Sequence, residues 1–597
     1  MESIGKLFNK IPWRLLRQGF ESLAAASMTL FLTRNSEPQI LSLVVFLIMF
    51  LLLRSGAGNQ PKRIRVVAGI FALFFAAACV LAEYAYLEET YGGFFCADTA
   101  WQFFMAWVFF SALLRILYGK LSTAKVLQQD GSKAGLTSAQ VFWLCFSGFA
   151  LVYTVVFLCH FPGNVMADMR TQLAQMVGLD PYSNHHPMAH TLAMEVFFDL
   201  GMALFGTQNA GVACITISQY LAVAAVFAYA ISTMRHFRVR PLLLVLSALF
   251  FAFAPNNLLF AVTPVKDIPF GIMTVLMICV IWRLAEGLRQ NKPFKAMWPQ
   301  WLLLLTASTG VCVLRTNGIY AFVPFLLLCP VFLKKRQRMV MPAMGLALLL
   351  ALLFRGPILT AMEVPPPDTI EALSLPAQHI SRVIAEGHAL SQEDRQLLSQ
   401  VVDVEAIPET YESYISDPIK ALVRETDNQA YIVAHKKEFF SLWLRLGLSY
   451  PKEYLYAQID ETVGFWYPNV QYESLYLGGI HPESTRLDIA TEPKLTGFIP
   501  AMLYKYLTGT RDFAVFALTF SIGTATWVAV AFFGMAIVNR KRAGLLMYLF
   551  VFFVLGTLLI ATPVHAEFRY LYSLFAALPV LMALAFLPMG GEEDAAG

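Results

Sequence analysis

Charge is scarce in this chain. Of its 597 residues 14% are charged and 57% hydrophobic, with a mean hydropathy of +0.59, whereas soluble globular proteins carry about 25% charged residues. That shortage excludes a soluble enzyme and a disordered polymer. Cysteine is also sparse, with eight in all. Seven fall in apolar runs and Cys96 alone in a loop, with no CxxC pair, so neither a disulfide framework nor the common zinc and redox motifs are expected. No GxxxxGK[ST] or GxGxxG loop occurs, which argues against an ATP-driven pump. There is no internal repeat and no low-complexity tract. The basic N-terminal stretch (Lys6, Lys10, Arg14, Arg17) is followed by no small-residue cleavage site, so it reads as a retained cytoplasmic end. The net charge of +4 is too small to imply nucleic acid as a partner.

What is present is apolar length. About fourteen stretches approach the roughly 20 residues a helical span needs. They run over 19–33, 38–54, 66–87, 100–118, 139–160, 209–232, 241–261, 268–285, 298–314, 317–333, 339–361, 512–538, 543–563 and 567–588. Alternate loops are basic: Arg54 to Arg65, Lys120/Lys125/Lys133, Arg235/Arg238/Arg240, Arg289/Lys292/Lys295, Lys334 to Arg338, and Arg540 to Arg542. The positive-inside rule places these loops and both termini in the cytoplasm. The segments 161–208 and 362–511 then lie outside the cell. The expected fold is an all-α polytopic membrane protein. Its parts are N-terminal spans over 1–138, a seven-span module over 139–361, an extracytoplasmic and mainly helical insert over 362–511, and C-terminal spans with a cytoplasmic tail over 512–597.

The outer loop 161–208 carries the chemistry-bearing residues. A short helix is expected over 165–177 and a second from Pro187, a favoured first-turn residue, lying along the membrane surface. Asp168 is either a solvated helix-surface carboxylate or a general base or metal ligand at the membrane boundary. Asp180 precedes proline and reads as turn chemistry. His186 and His190 are spaced i,i+4, but Pro187 stands where an HExxH site needs glutamate, which argues against a zinc hydrolase. Asn184, His185, His186 and His190 suit capping, hydrogen bonding, or contact with a sugar or phosphate. Basic residues also occur where an outer boundary should lack them: Arg170, Lys266, Arg315, Arg355 and Arg569. Each could be paired locally, Lys266 with Asp267 and Arg569 with Glu567. Together they could hold a lipid phosphate.

The pattern Pro162-Gly163…Asp168…Gln172…Gly178…Asn184-His185-His186-Pro187…Thr191 resembles the GT-C superfamily of membrane glycosyltransferases, in which an aspartate soon follows a Pro-Gly in the first long outer loop. It looks closest to an uncharacterised family of polytopic proteins of Gram-positive bacteria. Leu375-Pro376-Ala-Gln378-His-Ile-Ser-Arg382, Asp417-Pro418-Ile-Lys420 and Phe465-Trp466-Tyr467-Pro468 are similar to that family too. The likeness runs over about 140–588, and the spans before Lys120 have no counterpart in it. The resemblance implies a polyprenyl-phosphate-linked sugar as donor, a cell-surface glycan or polymer as acceptor, and membrane lipids as surroundings. Asp168 would be the catalytic carboxylate, with Arg170, Asn184, His185, His186, His190, Lys266, Arg315 and Arg569 binding substrate. The second acid of the mannosyltransferases and a DxD motif are both absent, so a divalent metal is not indicated. A flippase or transporter of a lipid-linked sugar, or a polysaccharide polymerase, is the alternative.

Overall fold

Inside a bilayer every backbone N–H and C=O must find its partner within the protein, so apolar runs of this length have to be helices. Among the described residues all regular structure is helical, with only isolated β-bridges besides. The computed structural model describes residues 13–34, 40–56, 59–124, 135–468, 486–512 and 520–587, together with Leu127, Gln129, Val470, Gly479, Ile480 and Met589. Lys6, Lys10, Lys125 and Lys133 of the basic stretches lie outside them, as does the tail beyond Met589. Among the described residues the expected stretches fall largely on helix, and eight helices are long and apolar enough to cross a membrane, or nine if one bent pair counts as a single span. This is a helical membrane protein.

The chain divides into two units. The first holds α1 (Trp13–Leu32), α2 (Ile40–Arg54), α3 (Lys62–Ala82), α4 (Ala97–Thr123) and residues 527–541. Phe75 meets Phe110 and Trp527 at its centre, with ring centroids 5.5 and 4.8 Å away. The first expected span is a helix of 20 residues whose buried Glu21 pairs with Arg115 of α4 at 2.7 Å.

The second unit carries the loop of interest. It comprises α5 (Ser138–Cys159), α6 (Ala167–Met176), α7 (Met188–Phe205), α8 (Gln208–His236), α9 (Pro241–Phe253), α10 (Pro255–Ala261), α11 (Asp267–Arg289), α12 (Trp298–Val313), α13 (Gly318–Phe332) and α14 (Val340–Leu353). The insert then contributes α15 (Ser374–Ala385), α16 (Lys436–Ser449), α17 (Pro451–Trp466) and α18 (Phe498–Asp512), and α19 (Arg542–Ala561) and α20 (Tyr572–Leu584) complete the unit. Helix α11 is the hub, buried along most of its length among α8, α12 and α20.

Three expectations need adjustment. The stretch 241–261 is not one straight helix but α9 and α10, bent by 51° at Ala254-Pro255. Pro255 has no N–H to give the Phe251 carbonyl. The Tyr153 hydroxyl donates to that carbonyl at 2.7 Å, and Asn257 Nδ2 donates to Phe250 O at 3.0 Å. In the insert, the helical pattern over 377–402 is broken into α15 and a short helix Gln392–Leu398, because Gly387 takes φ +78° between them. Helix α7, expected on the outer membrane surface, is also long and apolar enough to cross. It packs tightly on α8, where a Cβ at Gly201 would stand 2.3 Å from Ala210 O, and exposes Val196, Leu200 and Leu204 on its other side.

The basic-loop orientation makes a direct prediction. In a cysteine-free background, Gln396→Cys in the insert should react with an impermeant maleimide in intact cells, and Lys335→Cys only after permeabilisation. Both positions are exposed, whereas Gln337 is buried with its amide on Met589 O at 3.0 Å and would report nothing. The reverse labelling pattern would invert the topology.

Candidate functional site

The Pro-Gly-Asn turn after α5 is built to aim the next helix. Gly163 sits at φ +139°, and a Cβ there would stand 2.2 Å from Thr216 Oγ1. Asn164 then bonds twice to the connection leading into α11: its N–H donates to Val262 O at 2.9 Å and its Nδ2 to Thr263 Oγ1 at 3.2 Å. Gln219 of α8 steadies the same connection by donating to the Phe260 and Thr263 carbonyls, each at 2.9 Å. These ties seat the first turn of α6, which carries Asp168, against the first turn of α11. A helix N-terminus favours a carboxylate electrostatically.

Charges from four chain segments meet there. Asp168 Oδ2 accepts from Lys266 Nζ and from the Arg569 guanidinium, both at 2.7 Å. Arg569 also reaches Asp267 and Glu567 at 3.3 Å each. Asp267, with no solvent exposure, pairs with Arg315 at 2.9 Å. Arg315 donates on to the Tyr570 carbonyl at 2.6 Å. Three cations and three carboxylates thus form one ion cluster at the ends of α11, α12 and α20. The local pairing expected of Lys266 with Asp267 does not occur. Neighbours in a helix point about 100° apart, so Lys266 faces Asp168 while Asp267 faces the two arginines. The local pairing of Glu567 with Arg569 is present.

The remaining loop residues divide by role. His186 is buried, and Lys266 donates to its Nδ1 at 2.9 Å, which puts the imidazole proton on Nε2. A fifth chain segment therefore touches the cluster. His185 is exposed and packs edge-on against His186. His190 is turned toward Gln172, whose Nε2 lies 3.1 Å from His190 Nδ1 and also donates to Thr191 Oγ1 at 2.7 Å. Asn184 Oδ1 accepts from Met188 N at 3.0 Å and so caps α7. Arg170 stands two positions after Asp168, on the other side of α6. Arg355 instead donates to the Cys312 and Thr316 carbonyls at 3.5 and 3.3 Å. Asp180 pairs with Arg486 at 3.0 Å, part of a strap over 486–494 that covers the loop. Among the described residues no three His, Cys, Asp or Glu side chains gather to hold a metal ion.

Burial alone would raise the Asp168 carboxyl, but the Arg569 guanidinium, then the Lys266 ammonium and His186, outweigh it and hold the group well below the usual carboxylate range. Burial, then the Lys266 ammonium, keeps the His186 imidazole neutral. Asp168 is therefore ionised at rest. Its cations are the groups an incoming oxyanion would compete for.

Sequence reasoning selected Asp168, Lys266, Arg315 and Arg569 and paired Glu567 with Arg569, but missed the roles of Asp267 and Gln172. An apolar helix that opens on aspartate was the available signal for Asp267.

Two predictions concern stability. A folded-state carboxyl pKa below the unfolded value, about 3.9, adds stability above that value that is lost as pH falls through the folded one. Asp168→Asn should therefore flatten the acid side of the unfolding-temperature profile. At neutral pH it should cost about 3–5 kcal/mol, because Lys266 loses its carboxylate and the buried Arg569 loses one of its three. Adding Lys266→Met should recover part of that loss. Gly163→Ala should lower the unfolding temperature by the equivalent of about 1–3 kcal/mol, with partial rescue by Thr216→Ala. Both are read by thermal unfolding of the purified protein in detergent.

No curated protein and no solved structure matches the chain at a significant level. Residues 179–595, well over half the length and including every member of the ion cluster except Asp168, match the family of unknown function DUF6020. The chain belongs to that family.

Proposed function

We propose that this protein is a GT-C-like membrane glycosyltransferase of about fourteen spans, with its loop and insert outside the cell and α7 on the outer membrane surface. The donor is a sugar on a polyprenyl phosphate, and the acceptor is a hydroxyl of a cell-surface glycan or polymer. One observation carries the reading: Asp168 is held by Lys266 and Arg569 at 2.7 Å, at the end of a bundle of apolar helices. A carboxylate and cations suited to a phosphate within one ligand's reach support the reading, with the site taken to lie at the depth of a lipid headgroup.

The chemistry follows from competition. The donor phosphate takes hydrogen bonds from Lys266, Arg569 and Arg315, the charge-assisted kind that are short and strong. Losing those partners lets the Asp168 pKa rise toward the range of a working base. The acceptor hydroxyl oxygen then bonds the anomeric carbon, the carbon–oxygen bond to phosphate breaks, and the hydroxyl proton passes to Asp168. The lipid phosphate leaves with its new charge stabilised by the same cations. His186 and His190 stay neutral as hydrogen-bonding walls.

A flippase remains the second reading, favoured by the bend between α9 and α10 with Asn256 and Asn257 fully buried at it, since transporters break helices near their substrate. Mass spectrometry of envelope polymers tests the role of the site, and transport by the purified protein separates the two readings. Deleting the gene should remove one sugar substituent, and the wild-type gene should restore it. The double variant Asp168→Asn/Lys266→Met should not restore it, with transfer reduced about 10²–10⁴-fold or more. Purified protein that moves a lipid-linked sugar across vesicles without breaking its phosphate bond would replace the transferase by the flippase.

A further inference from the structure

The insert encloses an apolar cavity of about 690 Å³. Its wall is the insert's own core, with Ile370, Leu398, Val402, Ile419 and Val423 among the lining residues. Protein interiors pack as densely as organic crystals, and voids larger than a water are few. This volume instead falls within the roughly 300–1,000 Å³ of a site that encloses a whole ligand.

The cavity has a mouth, and it opens beside the end of α19, a helix long and apolar enough to cross a membrane. Leu559 and Ile560, in the last turn of α19, complete the wall, and Gln458 Nε2 fixes that end by donating to Leu559 O at 2.9 Å. Helix α16 forms the lip. Leu442 and Leu446 face inward, while Phe440, Leu444 and Leu448 form an outward row that is 61%, 46% and 76% exposed. Lys436 and Lys437 stand exposed at the start of the same helix, and Lys436 lines the cavity. An apolar helix face with lysines at its edge is what an interfacial helix presents to a bilayer, and lysine is a phosphate partner. Within the wall, His379 is uncharged at neutral pH, burial pushing it down to about 4. A hydrocarbon chain would meet no buried charge there.

We propose that this cavity binds a hydrocarbon chain of a phospholipid drawn from the leaflet that the insert faces, entering between Ile560 and α16 with the lipid phosphate on Lys436 and Lys437. The bilayer at the mouth is the source, and the site is separate from the ion cluster.

The test uses the full-length protein in nanodiscs of phosphatidylcholine and phosphatidylglycerol, doped with phosphatidylglycerol bearing a diazirine midway along one acyl chain. After irradiation, peptide mass spectrometry should find adducts on the wall segments 398–407 and 419–432 as well as on lipid-facing spans. Val402→Trp, which fills the cavity, should cut the wall adducts about tenfold or more, a change worth about 1.4 kcal/mol, while labelling of the exposed face of α5 stays constant. Lys436→Glu with Lys437→Glu, a surface change that leaves the fold intact, should also reduce wall labelling. Adducts confined to the spans, or wall adducts undiminished in both variants, would overturn the proposal. No sugar donor is present, so the outcome is independent of whether the protein transfers sugar.

Discussion

Arg569 is the group on which the second unit turns. It holds Asp168 and lies within ion-pair distance of Asp267 and Glu567, and it does so where little water reaches. A charge removed from water costs several kcal/mol unless paired and hydrogen-bonded, and breaking one member of a buried set leaves the others uncompensated. The six charged groups are therefore interdependent. They come from segments as far apart in the chain as Asp168 and Arg569, so the cluster can form only when the loop, α11, α12 and α20 are all in place. The local details serve that assembly. Gly163 allows a turn in which a Cβ would strike Thr216, Asn164 ties it to the entry of α11, and Gln219 occupies carbonyls left bare at the end of α10.

The helices were legible because hydrophobic length is a strong signal, and in a membrane it leaves one structural solution. Basic residues at the uncharged side of the topology were legible as anomalies for the same reason. Lys266, Arg315 and Arg569 stood out because the positive-inside pattern had no place for them. Which acid each would meet was not legible. Sequence adjacency suggested Lys266 with Asp267, but side-chain direction along α11 separates them, and that direction depends on where the helix begins. Arg355 carried the same signal and turned out to satisfy carbonyls at and just past the end of α12. The break in α9–α10 was hidden because Tyr153, far away in sequence, supplies the hydrogen bond that Pro255 cannot.

The insert looks soluble by composition, and its core is apolar, yet its charged groups are arranged in pairs that hold its helices together. Arg382 of α15 meets Glu453 and Asp460 of α17 at 3.1 and 2.7 Å, and Lys420 reaches Glu371 at 3.2 Å. The Leu375–Arg382 and Asp417–Lys420 motifs are thus joined to α17 and to the entry of the insert rather than to the loop 161–208. They specify how this domain closes on itself, around a space that its own side chains leave open.

The insert is also fastened to the loop that carries Arg569. Ser416 N donates to Pro563 O at 3.0 Å, His565 N donates to Tyr414 O at 3.1 Å, and Gly464 N donates to His565 O at 3.0 Å. A Cβ at Gly464 would stand 2.3 Å from that of Ala566, so backbone lies on backbone with no side chain to cushion a shift. One and three residues further on come Glu567 and Arg569. Such a joint transmits displacement. A ligand of the insert that moves this loop alters affinity at the ion cluster, and a ligand of the cluster must alter affinity at the insert by the same factor. The insert and the charged site would then report each other's occupancy, a reciprocity measurable from either end.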